Sequence, residues 1–151
     1  MSELSEGDLI RPLGLVTLYF AYAEAEIDTL IDALPSNEVY DDKKRQWTVG
    51  RKLIYAQKLA KQIQAERLNG LKVTLNEAKV LFERRNTIVH SCIFSGGRMV
   101  SNRKTVPNQQ ISIDQLNQLA ENIWACKEQI NMHRCKHVLP LLAEMKKRIA
   151  L

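Results

Sequence analysis

Arg85 and His90 are the residues in this chain best suited to chemistry. They frame a run of Arg85-Asn86-Thr87-Ile88-Val89-His90, with Ser91 following. An imidazole titrates near neutral pH and can give or take a proton. A guanidinium stays cationic and presents a planar fork that matches phosphate oxygens. Such a pair is suited to cutting RNA without a metal. Arg85 also falls in line with Ala78, Leu81, Val89 and Cys92, so its charge emerges from an otherwise apolar stripe and requires a reason. Glu24 and Glu26, earlier in the chain, are candidates to approach it.

The spacing constrains the elements that hold these groups. Asn86 and His90 are four apart and share one helical face, whereas Arg85 and His90 diverge by roughly 140° around an ideal helix. One helix holds the pair poorly together. Two copies across a two-fold axis present the same patch twice and can converge four such side chains in one cleft, so the chemistry implies a homodimer.

The periodicity predicts the helices that must carry the motif. Apolar residues recur at helical spacing from Asp8 to about Leu34 (Leu15, Leu18, Tyr19, Tyr22, Ala23, Ile27, Leu30, Ile31, Leu34) and Pro35 ends that run. Residues around Asn37–Arg45 read as a connector with Trp47 as an anchor. A second helix is expected from about Gly50 to Leu68 on Leu53, Ile54, Gln57, Ala60 and Ile63, with Asn69-Gly70 as its terminator. Thr74 and Glu77 form a candidate capping box for a third helix, whose stripe of Ala78, Leu81, Phe82, Ile88, Val89 and Cys92 fades near Ile93. Ser95 to Gln110, with Gly96, Gly97 and Pro107, reads as a loop or short hairpin of about 15 residues, a length often associated with function. Ser112 and Gln115 offer a second capping box, opening a long fourth helix through Leu116, Leu119, Ile123, Cys126 and Ile130. Pro140 marks a kink or a new start, and Val138 to Ile149 reads as a fifth helix. The expected fold is therefore all-α: one domain over residues 1–151, a four- to five-helix up-and-down bundle with a long loop or short hairpin after the third helix.

Composition narrows the classes. The 151 residues carry 45% hydrophobic and 26% charged side chains, ordinary for a globular domain. Charge is segregated: residues 1–42 hold ten acidic residues and one basic, and residues 43–151 hold seven acidic and 21 basic. That polarity suits either a polyanionic partner or an acidic first helix lying against basic segments of the same bundle. The longest apolar stretch, Leu13 to Ala23, is too short and too closely followed by acids to span a bilayer, so no membrane segment is expected. Three cysteines, Cys92, Cys126 and Cys135, with no signal peptide, fit a reduced, cytoplasmic protein. No glycine-rich phosphate loop, serine elbow or paired-carboxylate pattern supports nucleotide hydrolysis or acyl transfer.

The segment Glu83-Arg84-Arg85-Asn86-Thr87-Ile88-Val89-His90-Ser91 resembles the active-site motif of the HEPN superfamily: an arginine, four to six residues beginning with a polar one, then histidine. The resemblance implies a helical bundle, a symmetric dimer and metal-independent endoribonuclease activity in toxin-antitoxin, antiviral defence or RNA-processing systems. It also implies a possible antitoxin or regulatory protein as partner. His90 would be the general acid or base, Arg85 the group that binds the scissile phosphate and stabilises its developing charge, and Asn86 the group that positions them. The RNA 2′-hydroxyl would attack the adjacent phosphate, leaving a 2′,3′-cyclic phosphate and a 5′-hydroxyl. No cofactor is called for. Toxin members controlled by nucleotidylylation carry a tyrosine two positions after the histidine; Cys92 stands there in this chain, which sets that control apart. Some members are inactive, so the alternative is a noncatalytic helical module binding RNA or a partner protein.

Substrate contacts are expected from Arg84 and Ser91 beside the motif and from Arg98, Arg103 and Lys104 on the following loop. Cys126, His133 and His137 share a face of the fourth helix, but a structural zinc needs four converging ligands and Cys135 points elsewhere, so packing is the expected role and no metal site is assigned. Trp124 and Tyr55 are likewise expected to pack.

Overall fold

A computed structural model describes residues 6–94, 97–101 and 109–150. It has five substantial helices, a short one, and a small sheet. They are α1 (Glu6–Ala33), α2 (Asp42–Arg45), α3 (Val49–Gln62), α4 (Asn69–Val89), β1 (Ser91–Phe94), β2 (Arg98–Ser101), β3 (Gln109–Gln110), α5 (Ile113–His133) and α6 (Leu139–Ile149). The domain is an all-α bundle. α1 packs against α3 and α5, and α4 closes the bundle against the same two helices. The α1 core face runs Val16, Phe20, Ala23, Ile27, Leu30 and Ile31, and Leu34 just past the helix is buried as well. Leu18 and Tyr22, expected on that face, lie outside the core instead, each 46% exposed. Leu71, Leu75, Ala78 and Phe82 of α4 and Leu116, Leu119, Ile123 and Ile130 of α5 complete the core.

Several boundaries differ from the sequence expectation for identifiable reasons. α3 stops at Gln62, because Ile63 and Ala65 adopt extended backbone, and a 3₁₀ turn at Glu66–Leu68 then drives Leu68 into the core. Ile54, expected in the core, lies on the outer face of α3. Asn69-Gly70 does not terminate a helix; it begins α4. Gly70 is needed there for packing, since a Cβ would lie 2.7 Å from Cε1 of His133 on α5. Thr74 is consequently a buried residue inside α4 and not a cap. The Ser112–Gln115 capping box does form, with both reciprocal hydrogen bonds. α4 ends at Val89, earlier than expected, and Cys92 belongs to β1. Val89 is exposed and leaves the apolar stripe.

The segment after the motif is the hairpin alternative, extended by a third strand in an antiparallel sheet of order β1-β2-β3. Gly97, at φ +81°, accepts a backbone hydrogen bond from Ile111 at 2.7 Å, and a Cβ there would collide with the Ile111 carbonyl. Buried Met99 and Ile111 fasten the sheet to the bundle. α5 continues into α6 through a π-helical turn, Arg134–Val138, which lies just before Pro140. Pro140 has no N–H for the Lys136 carbonyl four residues back, and Arg67 Nη2 donates to that carbonyl instead, at 3.4 Å.

Candidate functional site

The last two turns of α4 and the first residue of β1 carry the motif. Phe82 and Arg85, three apart on α4, both meet Phe20 of α1. The two rings meet edge to face at 5.1 Å, and the Arg85 guanidinium carbon lies 3.8 Å from the centre of the Phe20 ring. Arg85 Nη1 donates to Asn86 Oδ1 at 3.0 Å, so Asn86 steers the guanidinium from its own helix. Nε of Arg85 is buried without a hydrogen-bond partner. Burial lowers the pKa of Arg85 from its ordinary value, and the Glu24 charge opposes that shift. An arginine stays cationic under such a perturbation. The site therefore holds a half-buried cation with an unused donor, aimed by one aromatic ring and one amide.

His90 caps the C-terminus of α4, its N–H donating to the Asn86 carbonyl at 3.0 Å, and its side chain is exposed. Arg85 lies over Phe20 of α1, while an ideal helix would set a residue five positions on, as His90 is, roughly 140° around the axis. Ser91 Oγ donates to the Thr87 carbonyl, and Thr87 Oγ1 donates to the Glu83 carbonyl at 3.1 Å, which secures the last turn. Arg84 is half-buried, and its Nη1 donates to Gln109 Oε1 at 2.5 Å, tying α4 to β3. Arg98 is exposed on β2. Arg103 and Lys104 lie outside the described residues.

Of the two acids placed near Arg85, Glu24 acts on it through its charge, whereas Glu26 instead accepts from Arg134 Nε at 2.8 Å. Glu24 in turn accepts from Lys52 Nζ of α3 at 2.9 Å. Lys52, only 2% exposed, also donates to Asp28 at 3.1 Å, and the Tyr40 hydroxyl donates to Asp28 at 2.5 Å. Burial alone would lower the Lys52 pKa; the two carboxylates outweigh it and hold that pKa above the usual lysine value. Burial and Asp28 together push the Tyr40 hydroxyl well above the usual phenol range. Phe20 and Lys52 escaped the sequence reading. Each had a signal: Phe20 falls in the Val16, Phe20, Ala23, Ile27 stripe, and Lys52 in line with Ala56 and Leu59, a charge on an apolar face as at Arg85.

The histidines of the α5–α6 junction behave as packing groups. The rings of His133 and His137 are 5.6 Å apart with both Nδ1 atoms buried and unpartnered. Burial, then His137, lowers the His133 pKa. Among the described residues no group of three or more His, Cys, Asp or Glu side chains is arranged to hold a metal ion. Cys135 is exposed, its Sγ against Asn131 Oδ1 at 3.2 Å. Tyr55 is buried beside Trp47, and Trp124 packs on Tyr19 with ring centres 5.0 Å apart. Among the described residues no helix is long and apolar enough to cross a membrane. Compared with protein-family models, curated proteins and solved structures, the chain matches none.

Proposed function

We propose that this chain is a metal-independent endoribonuclease that acts as a homodimer, with Arg85 and His90 at the shared interface. The observation that carries the reading is the Arg85 guanidinium, held on Phe20 and Asn86 with a buried Nε donor unused, at the end of a helix that also presents an exposed histidine. A scissile phosphate is met by the outer Nη groups of the guanidinium, and charge-assisted bonds of this type are the strong ones. His90 moves the proton: taken from the 2′-hydroxyl as it attacks phosphorus, or given to the departing 5′-oxygen, from one copy or the other of the dimer. The P–O5′ bond breaks as the P–O2′ bond forms, giving a 2′,3′-cyclic phosphate and a 5′-hydroxyl. Arg84, Ser91 and Arg98 border the same end of α4 and are suited to neighbouring phosphates. RNA cleavage in excess chelator by the wild type, Arg85→Ala and His90→Ala tests this. Cleavage by the wild type with a loss of about 100-fold or more in each variant is expected; equal cleavage by all three would sink it.

A second reading, a noncatalytic binding module, draws on an apolar groove of about 530 Å³ between α4 and α5, lined in part by Val80, Leu81, Ala125 and Cys126. It expects stoichiometric binding of RNA or a protein with no new RNA ends.

A further inference from the structure

We propose that Lys52 is a positioning residue of this site: it holds the Glu24 carboxylate against α3, keeps it off the Arg85 guanidinium, and so leaves that guanidinium open to a phosphate. The functional part of this inference rests on the phosphate-binding reading of Arg85; the placement of Glu24 does not.

Three observations converge. Phe20 and Glu24 are four apart on α1 and therefore adjacent on one face, and Arg85 lies on the Phe20 ring at 3.8 Å. Glu24 is thus one turn from the ring that carries the guanidinium. Yet its ion pair is with Lys52 Nζ, at 2.9 Å, and among the described residues no carboxylate pairs with Arg85. Lys52 is itself fixed: buried to 2% exposure on α3 and held from a second side by Asp28, which Tyr40 supports. An arginine forked onto a carboxylate is a poor phosphate receptor, because the incoming anion must first displace the resident one. Once Lys52 loses its charge, Glu24 is a partly buried carboxylate in need of a cation, and Arg85 is the one beside it.

The test follows the Arg85 Nε–Hε resonance by ¹⁵N NMR, assigned by its absence in Arg85→Lys, in Lys52→Met and in the doubles Lys52→Met/Glu24→Gln and Lys52→Met/Asp28→Asn. Lys52→Gln serves if Lys52→Met does not fold. The resonance is expected to move in Lys52→Met, to return when Glu24→Gln is added, and to stay displaced with Asp28→Asn. Titration with inorganic phosphate, read at the same resonance, is expected to show about tenfold weaker binding in Lys52→Met, recovered by Glu24→Gln alone. An unmoved resonance in the folded Lys52 variant, or equal recovery by Asp28→Asn, overturns the inference, since a merely structural triad treats its two acids alike. If the resonance behaves as expected while wild-type protein cleaves no RNA, the ribonuclease reading fails and the role of Lys52 stands.

Discussion

Arg85 is a costly residue to keep where it is, and its surroundings say what the cost supports. Desolvation works against a half-buried guanidinium, and the Phe20 ring and Asn86 amide recover only part of the lost hydration. Phe20→Leu keeps an apolar side chain and removes the ring face, so the bundle should still fold while RNA cleavage, read as kcat/KM, falls about 2- to 30-fold, reflecting about 0.5–2 kcal/mol of cation–π interaction. Arg85→Lys keeps a positive charge but loses the fork, and is expected to stay far below wild-type activity. The thiols supply a check away from the site. Burial pushes Cys126 up to about 11, whereas Cys135 is exposed, so iodoacetamide at about pH 8 should modify Cys135 well before Cys126 in peptide mass spectra. The motif itself was legible in the chain because arginine, asparagine and histidine are read by type and spacing. Glu24 was connected to it only as a candidate, and Phe20 and Lys52 not at all, since they come from α1 and α3 and join the site only through the packing of those helices.

Helix ends explain most of the differences between expectation and structure. Thr74–Glu77 and Ser112–Gln115 have the same capping pattern, yet only the second caps. The buried series Leu71, Leu75 and Ala78 runs straight past Thr74, so tertiary packing overrides a local signal there, whereas extended backbone precedes Ile113. Ser112→Ala is accordingly expected to cost about 1 kcal/mol in denaturant melts. Gly70 looked like a terminator because its role depends on a residue 63 positions later, the His133 ring against which a Cβ would press. His133 also sets a pH dependence. Its folded pKa lies below the free value of 6.5, so as pH falls through that region the unfolded chain takes up a proton that the folded one declines. Stability contributed by neutral His133 is thus present above about pH 6.5 and lost below it. The drop in melting temperature between neutral and mildly acidic buffer should shrink in His133→Gln. An undiminished drop would place the titration elsewhere.

The charge segregation of the chain is used in part to join the first helix to the rest of the bundle. Glu24, Glu26, Asp28 and Asp32 of the acidic first helix pair with Lys52, Arg134, Lys52 and Arg45 of the basic remainder. The all-helical class and the hairpin after the motif were both legible from periodicity and glycine placement, because those signals are local. The orientation of α4, which sends Arg85 inward and leaves His90 exposed, depends on contacts with α1 that no local pattern contains. The roughly 140° that an ideal helix sets between positions five apart is why the proposed chemistry calls for two copies. Cleavage per protein should consequently fall on dilution along with the dimer fraction seen by sedimentation; activity that persists in a pure monomer would remove the need for a partner copy. The central claim is tested most directly by the ends left on a random RNA pool digested in excess chelator. Wild-type protein should produce 5′-hydroxyl and 2′,3′-cyclic phosphate ends, at a rate cut about 100-fold or more by Arg85→Ala and by His90→Ala. Intact RNA with the wild type, or the same ends at the same rate from all three proteins, would contradict it.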